Sequence, residues 1–204
     1  MQTKEKDWTG NSKSVFLRLG SSNHSPRERE QHDYYATDPI AIDLLTTKIR
    51  LPDVVYEPAC GEGHLSERLK QYGCKVYSAD LIDRGYGEVK DFFDTTSLPE
   101  DCSCIITNPP YKYATEFILH SLEILPEGGY CFMLLNNSYL EGKTRYEKIY
   151  KQYPPMMVAC FVRRLRCSLN GMFDKKLENR SAVPYSWFVW RKGYVGRPLI
   201  EWLV

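Results

Sequence analysis

The sequence predicts an α/β protein: a mostly parallel, twisted sheet with helices on both faces and a last strand that runs antiparallel. Three observations carry this. Apolar, strand-length runs at residues 54–56, 75–79, 104–106, 130–135, 156–161 and 187–190 are separated, up to the last two, by helix-length stretches. Strands alternating with helices pair in parallel through right-handed crossovers. The first run enters a Gly-x-Gly turn at Gly61 and Gly63, and the third stops at Pro109-Pro110, which cannot continue a ladder. No helical pattern separates the last two runs, so that pair is expected antiparallel.

Taken in order, residues 1–32 read as a polar, partly disordered arm that docks through Val15-Phe16-Leu17-Arg18-Leu19. Residues 33–204 read as one domain. Thr37-Asp38-Pro39 precedes the helical pattern Ile40-Ala41-Ile42-Asp43-Leu44-Leu45, an N-cap with proline in the first turn. The strand at 54–56 leads into Glu57-Pro58-Ala59-Cys60-Gly61-Glu62-Gly63, and the helix after it carries Leu65 and Leu69 on its apolar side. Strand, glycine turn and helix together bring backbone amides and a helix N-terminus up to a ligand. Glycine pairs also serve merely to close such turns. The next strand ends at Asp80, followed by Leu81. An acid there, about 20 residues past the glycine turn, is where such folds grip a ribose diol; a helix cap is the ordinary alternative.

A short third strand at 88–90 ends in Asp91-Phe92-Phe93-Asp94, and the run 104–106 ends in Thr107-Asn108-Pro109-Pro110-Tyr111. The two prolines make a stiff platform at the carboxyl end of a strand, where open α/β sheets keep their ligands. A carboxamide, a main-chain carbonyl and an aromatic face suit a flat, amine-bearing group such as a nucleobase. A proline-rich turn with a buried tyrosine is the bland reading. A helix over 113–125 stops at Pro126-Glu127-Gly128-Gly129, and residues 130–135 form a central strand. A polar helix over 141–153, a strand at 156–161, a basic irregular stretch and the strand at 187–190 complete the chain.

The net charge of +1 hides an asymmetry. Residues 141–204 hold 13 Lys and Arg against 5 Asp and Glu, while the rest hold 14 against 21. A polyanionic partner for the basic third fits this, as does a solvated face. Its cations include Lys143, Arg145, Arg163, Arg164 and Arg166. The seven cysteines form no Cys-x-x-Cys and the four histidines are scattered, so neither a metal site nor a disulfide framework is expected. Without an apolar leader or a run of 18 apolar residues, the chain reads as soluble and intracellular.

Assembled, these motifs resemble the class I S-adenosylmethionine-dependent methyltransferases that methylate amines, chiefly the N6-adenine DNA enzymes with the gamma order of motifs. Glu57-Pro58-Ala59-Cys60-Gly61-Glu62-Gly63 is similar to their cofactor loop and Asn108-Pro109-Pro110-Tyr111 to their catalytic tetrapeptide. Thr37-Asp38-Pro39 resembles their helix-leading segment, and the stretches at 19–24 and 33–37 resemble small phage- and prophage-borne methylases. The likeness covers about residues 15–135 in order. It implies a Rossmann-like class I methyltransferase fold in a bacterial host's cytoplasm, with S-adenosylmethionine as cofactor.

The resemblance also implies roles. Thr37 would hold the methionine carboxylate; Glu57, Ala59, Gly61 and Gly63 would line the amino-acid half; Asp80 with Leu81 would take the ribose; Asp91 and Phe92 would hold the adenine. Asn108 and the Pro109 carbonyl would accept the two hydrogens of the target amine, with Pro110 stiffening the turn and Tyr111 stacking on a base flipped out of duplex DNA. Two departures stand out. No separate target-recognition domain follows, so the basic third would contact DNA through Lys143, Arg145, Arg163, Arg164 and Arg166. The aromatic that would complete the base sandwich is also missing from its slot near Cys167, with Phe161, Phe173 and Trp187 as substitutes. Other targets of the same tetrapeptide are adenine in structured RNA and glutamine in proteins. A nucleic-acid-binding relic without catalysis is the alternative of a different class.

Overall fold

Three central strands of the sheet are buried on both faces, which is why their sequences read as continuous apolar runs rather than alternating ones. The computed structural model describes residues 36–165, 167–168 and 183–204. The expected arm at 1–32, Arg166 and Phe173 lie outside the described residues. In chain order the elements are β1 (Ala36–Thr37), α1 (Ile40–Thr46), β2 (Val54–Glu57), α2 (His64–Gln71), β3 (Lys75–Asp80), β4 (Glu88–Val89), β5 (Cys104–Thr107), α3 (Ala114–Ile124) and β6 (Tyr130–Asn136). They continue with α4 (Lys143–Arg145), β7 (Met157–Phe161), β8 (Cys167–Ser168), β9 (Tyr185–Arg191) and β10 (Leu199–Leu203).

Eight strands form one sheet in the order β10-β7-β9-β6-β5-β2-β3-β4. Neighbours are parallel except at β9, which runs antiparallel to both β6 and β7. The strand expected at 187–190 therefore has the expected direction. It is followed by β10, a strand not anticipated, which lies parallel on β7 at the sheet edge. Its charged centre, Glu201, and its exposed Leu199, Ile200 and Trp202 lack the buried signature that marks the inner strands. The polar helix expected at 141–153 begins as the short α4 and widens into a π-helical turn at Tyr146–Tyr150.

Side-chain alternation splits the core into two layers. Phe132 and Leu134 of β6 face Ile42 and Leu45 of α1 and Leu65 and Leu69 of α2, together with Val55, Ile106 and Trp187. Cys131, Met133 and Leu135 face the other way, onto Phe117, Ile118 and Leu122 of α3. The amphipathic stripes of three helices thus cover both sides of the central strands. At the entry to α1, the Asp38 carboxylate accepts the Ile40 N–H at 3.1 Å, but Pro39 occupies the N-cap position without a side-chain cap, so the proline precedes the first turn and does not lie in it as expected. Among the described residues no helix is long and apolar enough to cross a membrane. β1 and β8 pair antiparallel as a separate two-stranded ribbon, with Thr37 opposite Cys167.

Candidate active site

The carboxyl ends of β2, β3, β5 and β6 open onto a cleft of about 1130 Å³, at the edge where open α/β sheets hold ligands. Thr37, Glu57, Ala59, Asp80, Leu81, Asp91, Phe92, Asn108, Pro109, Pro110 and Tyr111 all line it. Residues from five separate stretches of chain, each singled out from the sequence, are thereby brought to one place.

The glycine turn acts from behind this lining. Gly61 donates its N–H to Asp80 Oδ2 at 2.8 Å, and Ile82 N–H donates to Oδ1 at 2.9 Å. One carboxylate therefore ties the loop after β2 to the loop after β3. Gly63 has φ of 84° and begins α2, and a Cβ there would sit 2.5 Å from the Tyr86 ring. Only glycine meets both demands without moving the tyrosine. Gly63 thus closes the turn beneath Tyr86 and does not itself line the cleft.

Glu57 is buried at the carboxyl end of β2 and accepts a hydrogen bond from Ser66, whose hydroxyl also meets that of Ser78 at 2.6 Å. Burial pushes its carboxyl up to about 8; the Asp80 charge adds to the rise and the Ser66 hydrogen bond opposes it. Burial, with Glu57 and Asp80 nearby, likewise pushes the Cys60 thiol up to about 12, so this cleft cysteine is held as a neutral thiol.

Further round, Asp91 Oδ1 caps the short turn Phe92–Asp94 by accepting from Phe93 N at 2.9 Å. Phe92 is packed against Phe117 and His120, with both centroids at 4.8 Å, while the neighbouring Phe93 is exposed. Phe92 therefore presents only a sliver to the cleft, and Phe93, not singled out beforehand, offers the open ring. His120 Nε2 lies 3.1 Å from Phe92 O and 3.0 Å from Thr95 O, pinning this turn to α3.

On the opposite wall, Asn108 leaves the end of β5 and its Nδ2–H donates to Thr37 Oγ1 at 2.9 Å. Thr37 was expected to serve a cofactor carboxylate; its hydroxyl is also engaged here. The Tyr111 ring stacks on Tyr185 at 5.9 Å between centroids and 24° between planes. Of the aromatics proposed to complete the sandwich, Trp187 is wholly buried and donates its Nε1–H to Ala41 O, so it belongs to the core. Phe161 packs against the same core outside the cleft lining. The tyrosine actually found beside Tyr111 is Tyr185, the first residue of β9, and no local motif marks it.

Of the basic residues proposed for nucleic acid, Lys143, Arg145, Arg163 and Arg164 lie away from the cleft lining, and Arg166 is outside the described residues. Lys143 is exposed beside Glu147, and Arg163 and Arg164 are exposed after β7. Arg145 is a brace: Nε and Nη2 donate to the Glu141 and Ser138 carbonyls and the guanidinium lies 4.8 Å over the Tyr139 ring. Arg84 and Lys112, both absent from the expected set, line the cleft itself. Among the described residues no group of three or more His, Cys, Asp or Glu side chains is arranged to hold a metal ion.

No family model matches the chain, and no curated protein is similar to it in sequence. Solved structures do share its architecture. A protein assigned as a class I S-adenosylmethionine-dependent methyltransferase from Listeria monocytogenes aligns with a TM-score of 0.56 at 16% identity, over 94% of this chain and 72% of the other. A protein described as a hemolysin from Lactococcus lactis gives 0.58 at 11% identity, over 80% of this chain and 91% of its own. The modification subunit assigned to a type I restriction enzyme of Vibrio vulnificus gives 0.56 at 12% identity, over 91% of this chain and 49% of its own. The fold is that of the class I methyltransferases. Proteins of such different description on one fold leave the chemistry to be argued from the site.

Proposed function

We propose that the protein transfers a methyl group from S-adenosylmethionine to the exocyclic N6 amine of an adenine flipped out of duplex DNA. The observation that carries this reading is the Asn108 carboxamide, held at the end of β5 beside Pro109, Pro110 and Tyr111 and facing the same cleft as Asp80 and Asp91. The donor set fits the cofactor. Asp80 and Asp91 give one side of the cleft an acidic lining suited to a ligand that carries cationic groups, and the cleft volume exceeds that of one drug-sized ligand. Bound S-adenosylmethionine supplies an electrophilic methyl on its sulfonium.

The protein's own part is positional. Asp80, with Leu81 beside it, serves the ribose; Asp91 and the ring of Phe92 or Phe93 serve the adenine; Glu57 and Ala59 serve the amino-acid end. Asn108 Oδ1 and the Pro109 carbonyl would accept hydrogen bonds from the two amine N–H groups, so that the nitrogen lone pair turns toward the methyl group, and the methylated amine would release one proton to water. Orientation and placed hydrogen bonds are worth several kcal/mol each, about 2.7–4 for one well-aimed donor or acceptor. No enzyme nucleophile is required, consistent with the neutral Cys60 thiol. Residues 33–204 act as one domain in this reading. The basic third from 141 contacts the DNA through Lys143, Arg163, Arg164 and Arg166. The setting is the cytoplasm of a bacterial host, with the gene of phage or prophage type.

The test is incubation of the purified protein with labelled S-adenosylmethionine and duplex DNA, followed by nucleoside mass spectrometry for N6-methyladenine. Structured RNA and a glutamine-bearing peptide run in parallel. Label in RNA or peptide alone overturns the DNA assignment. A chain that fails to bind the cofactor by calorimetry is the inactive relic.

A further inference from the structure

We infer that Thr37 is a positioning residue for Asn108, and that the β1–β8 ribbon exists at this place to hold it; the inference rests on the methyl-transfer reading above. The two residues are 71 positions apart, yet Asn108 Nδ2–H donates to Thr37 Oγ1 at 2.9 Å. An amide has its donor and acceptor ends on opposite sides. Seating Nδ2 on the threonine therefore fixes how the amide is turned, with Oδ1 buried on the side away from Thr37 in a residue that lines the cleft. A carboxamide on an otherwise open strand end would sample both orientations, and only one of them accepts.

Thr37 is itself over-determined. It is 4% exposed. Its backbone is paired to Cys167, and its neighbour Ala36 to Ser168. On its other side the Asp38 carboxylate accepts the N–H of Ile40, the first residue of α1. Threonine is also stiff at χ1, so its hydroxyl keeps its bearing. The ribbon strand that pairs with Thr37 lies three residues beyond Arg164, so one short piece of sheet joins the exposed basic stretch to the carboxamide of Asn108.

The family resemblance gives Thr37 a different task, holding the cofactor carboxylate, and the two roles separate cleanly. If Thr37 positions Asn108, Thr37→Val removes the acceptor at nearly constant volume and lowers kcat by at least about tenfold, with cofactor affinity by calorimetry within about twofold. Thr37→Ser keeps the acceptor and holds kcat within about threefold of wild type. Thr37→Ala replaces the valine variant if thermal melts show the latter unfolded. Loss of cofactor affinity in step with activity would make Thr37 a cofactor ligand and overturn the inference. So would wild-type kcat in Thr37→Val, or a serine variant as impaired as the valine one. Wild-type protein that binds no cofactor and methylates nothing overturns the methyl-transfer reading and this inference with it. An active wild type beside an equally active Thr37→Val overturns the inference alone.

Discussion

On the β2–β3 side of the cleft, the polar contacts that shape the site span 2 to 28 residues: Asp91 to Phe93, Asp80 to Ile82, Glu57 to Ser66, Asp80 to Gly61 and His120 to Phe92. On the β5–β9 side they span far more, with Asn108 reaching Thr37 across 71 residues, Ser186 reaching Asn137 across 49, and Tyr111 stacked on Tyr185. The first side is a set of capped loops whose backbone amides point where the local chain sends them. The second exists only once β1, β8 and β9 have docked. A site of this kind separates a ready-made cofactor half from an assembled substrate half, and mutations should divide accordingly.

The largest effect is expected from Asn108→Ala. It removes the acceptor for the target amine and should lower methyl transfer by about 10²–10³-fold. Cofactor affinity should stay within a few-fold, because Asp80 and Asp91 are untouched. Transfer within about tenfold of wild type, or ~1.4 kcal/mol, would break the assignment of the substrate half.

Glu57→Gln probes the other half through pH. With its carboxyl pushed up to about 8, folded Glu57 keeps a proton that the unfolded chain has already lost from the usual carboxylate range upward. Stability of the wild type should therefore fall as pH rises toward about 8 and level off above it. Glutamine keeps the acceptor for Ser66 but has no charge to bury, so the variant should gain on the wild type across that window, by on the order of a few kcal/mol at its upper end. Thermal melts from pH 5 to 9 measure this. Parallel curves would show that Glu57 is ionised at little cost.

Asp80→Ala should weaken S-adenosylmethionine binding by about 1–3 kcal/mol while leaving kcat at saturating cofactor near wild type. Asp80→Asn keeps one acceptor for the Gly61 or Ile82 amide and should lose less. Unchanged affinity in both would mean that Asp80 only ties two loops together, the cap reading.

The same division explains what the sequence made legible. The glycine turn, the acid at the tip of β3 and the Asn-Pro-Pro-Tyr platform are contiguous, and each encodes its own geometry through turn chemistry and strand ends. They were readable, as were the inner strands, because burial on both faces leaves an unbroken apolar run. Tyr185 and Thr37's bond to Asn108 were not, since each depends on which distant residue the fold delivers. β10 escaped for the complementary reason: an edge strand with Leu199, Ile200 and Trp202 exposed carries little of the pattern that burial imposes.

The smallest and most discriminating test is Tyr185→Leu. Two nearly parallel rings 5.9 Å apart leave no room for a third between them, since two stacked layers need about 7 Å at ordinary carbon contact distances. A target base must therefore lie on the other face of Tyr111 or displace Tyr185. If Tyr185 backs Tyr111 and holds its ring upright, leucine keeps the core filled but loses the ring pairing, and binding of substrate DNA should weaken by about 0.5–1.5 kcal/mol. Cofactor affinity should not move, because Asp80 and Asp91 are untouched. Tighter DNA binding in the leucine variant would show instead that Tyr185 occupies the base's own place and must be pushed aside. A parallel loss of cofactor affinity would show that the two halves of the cleft are one mechanical unit, and the comparison drawn above would fail.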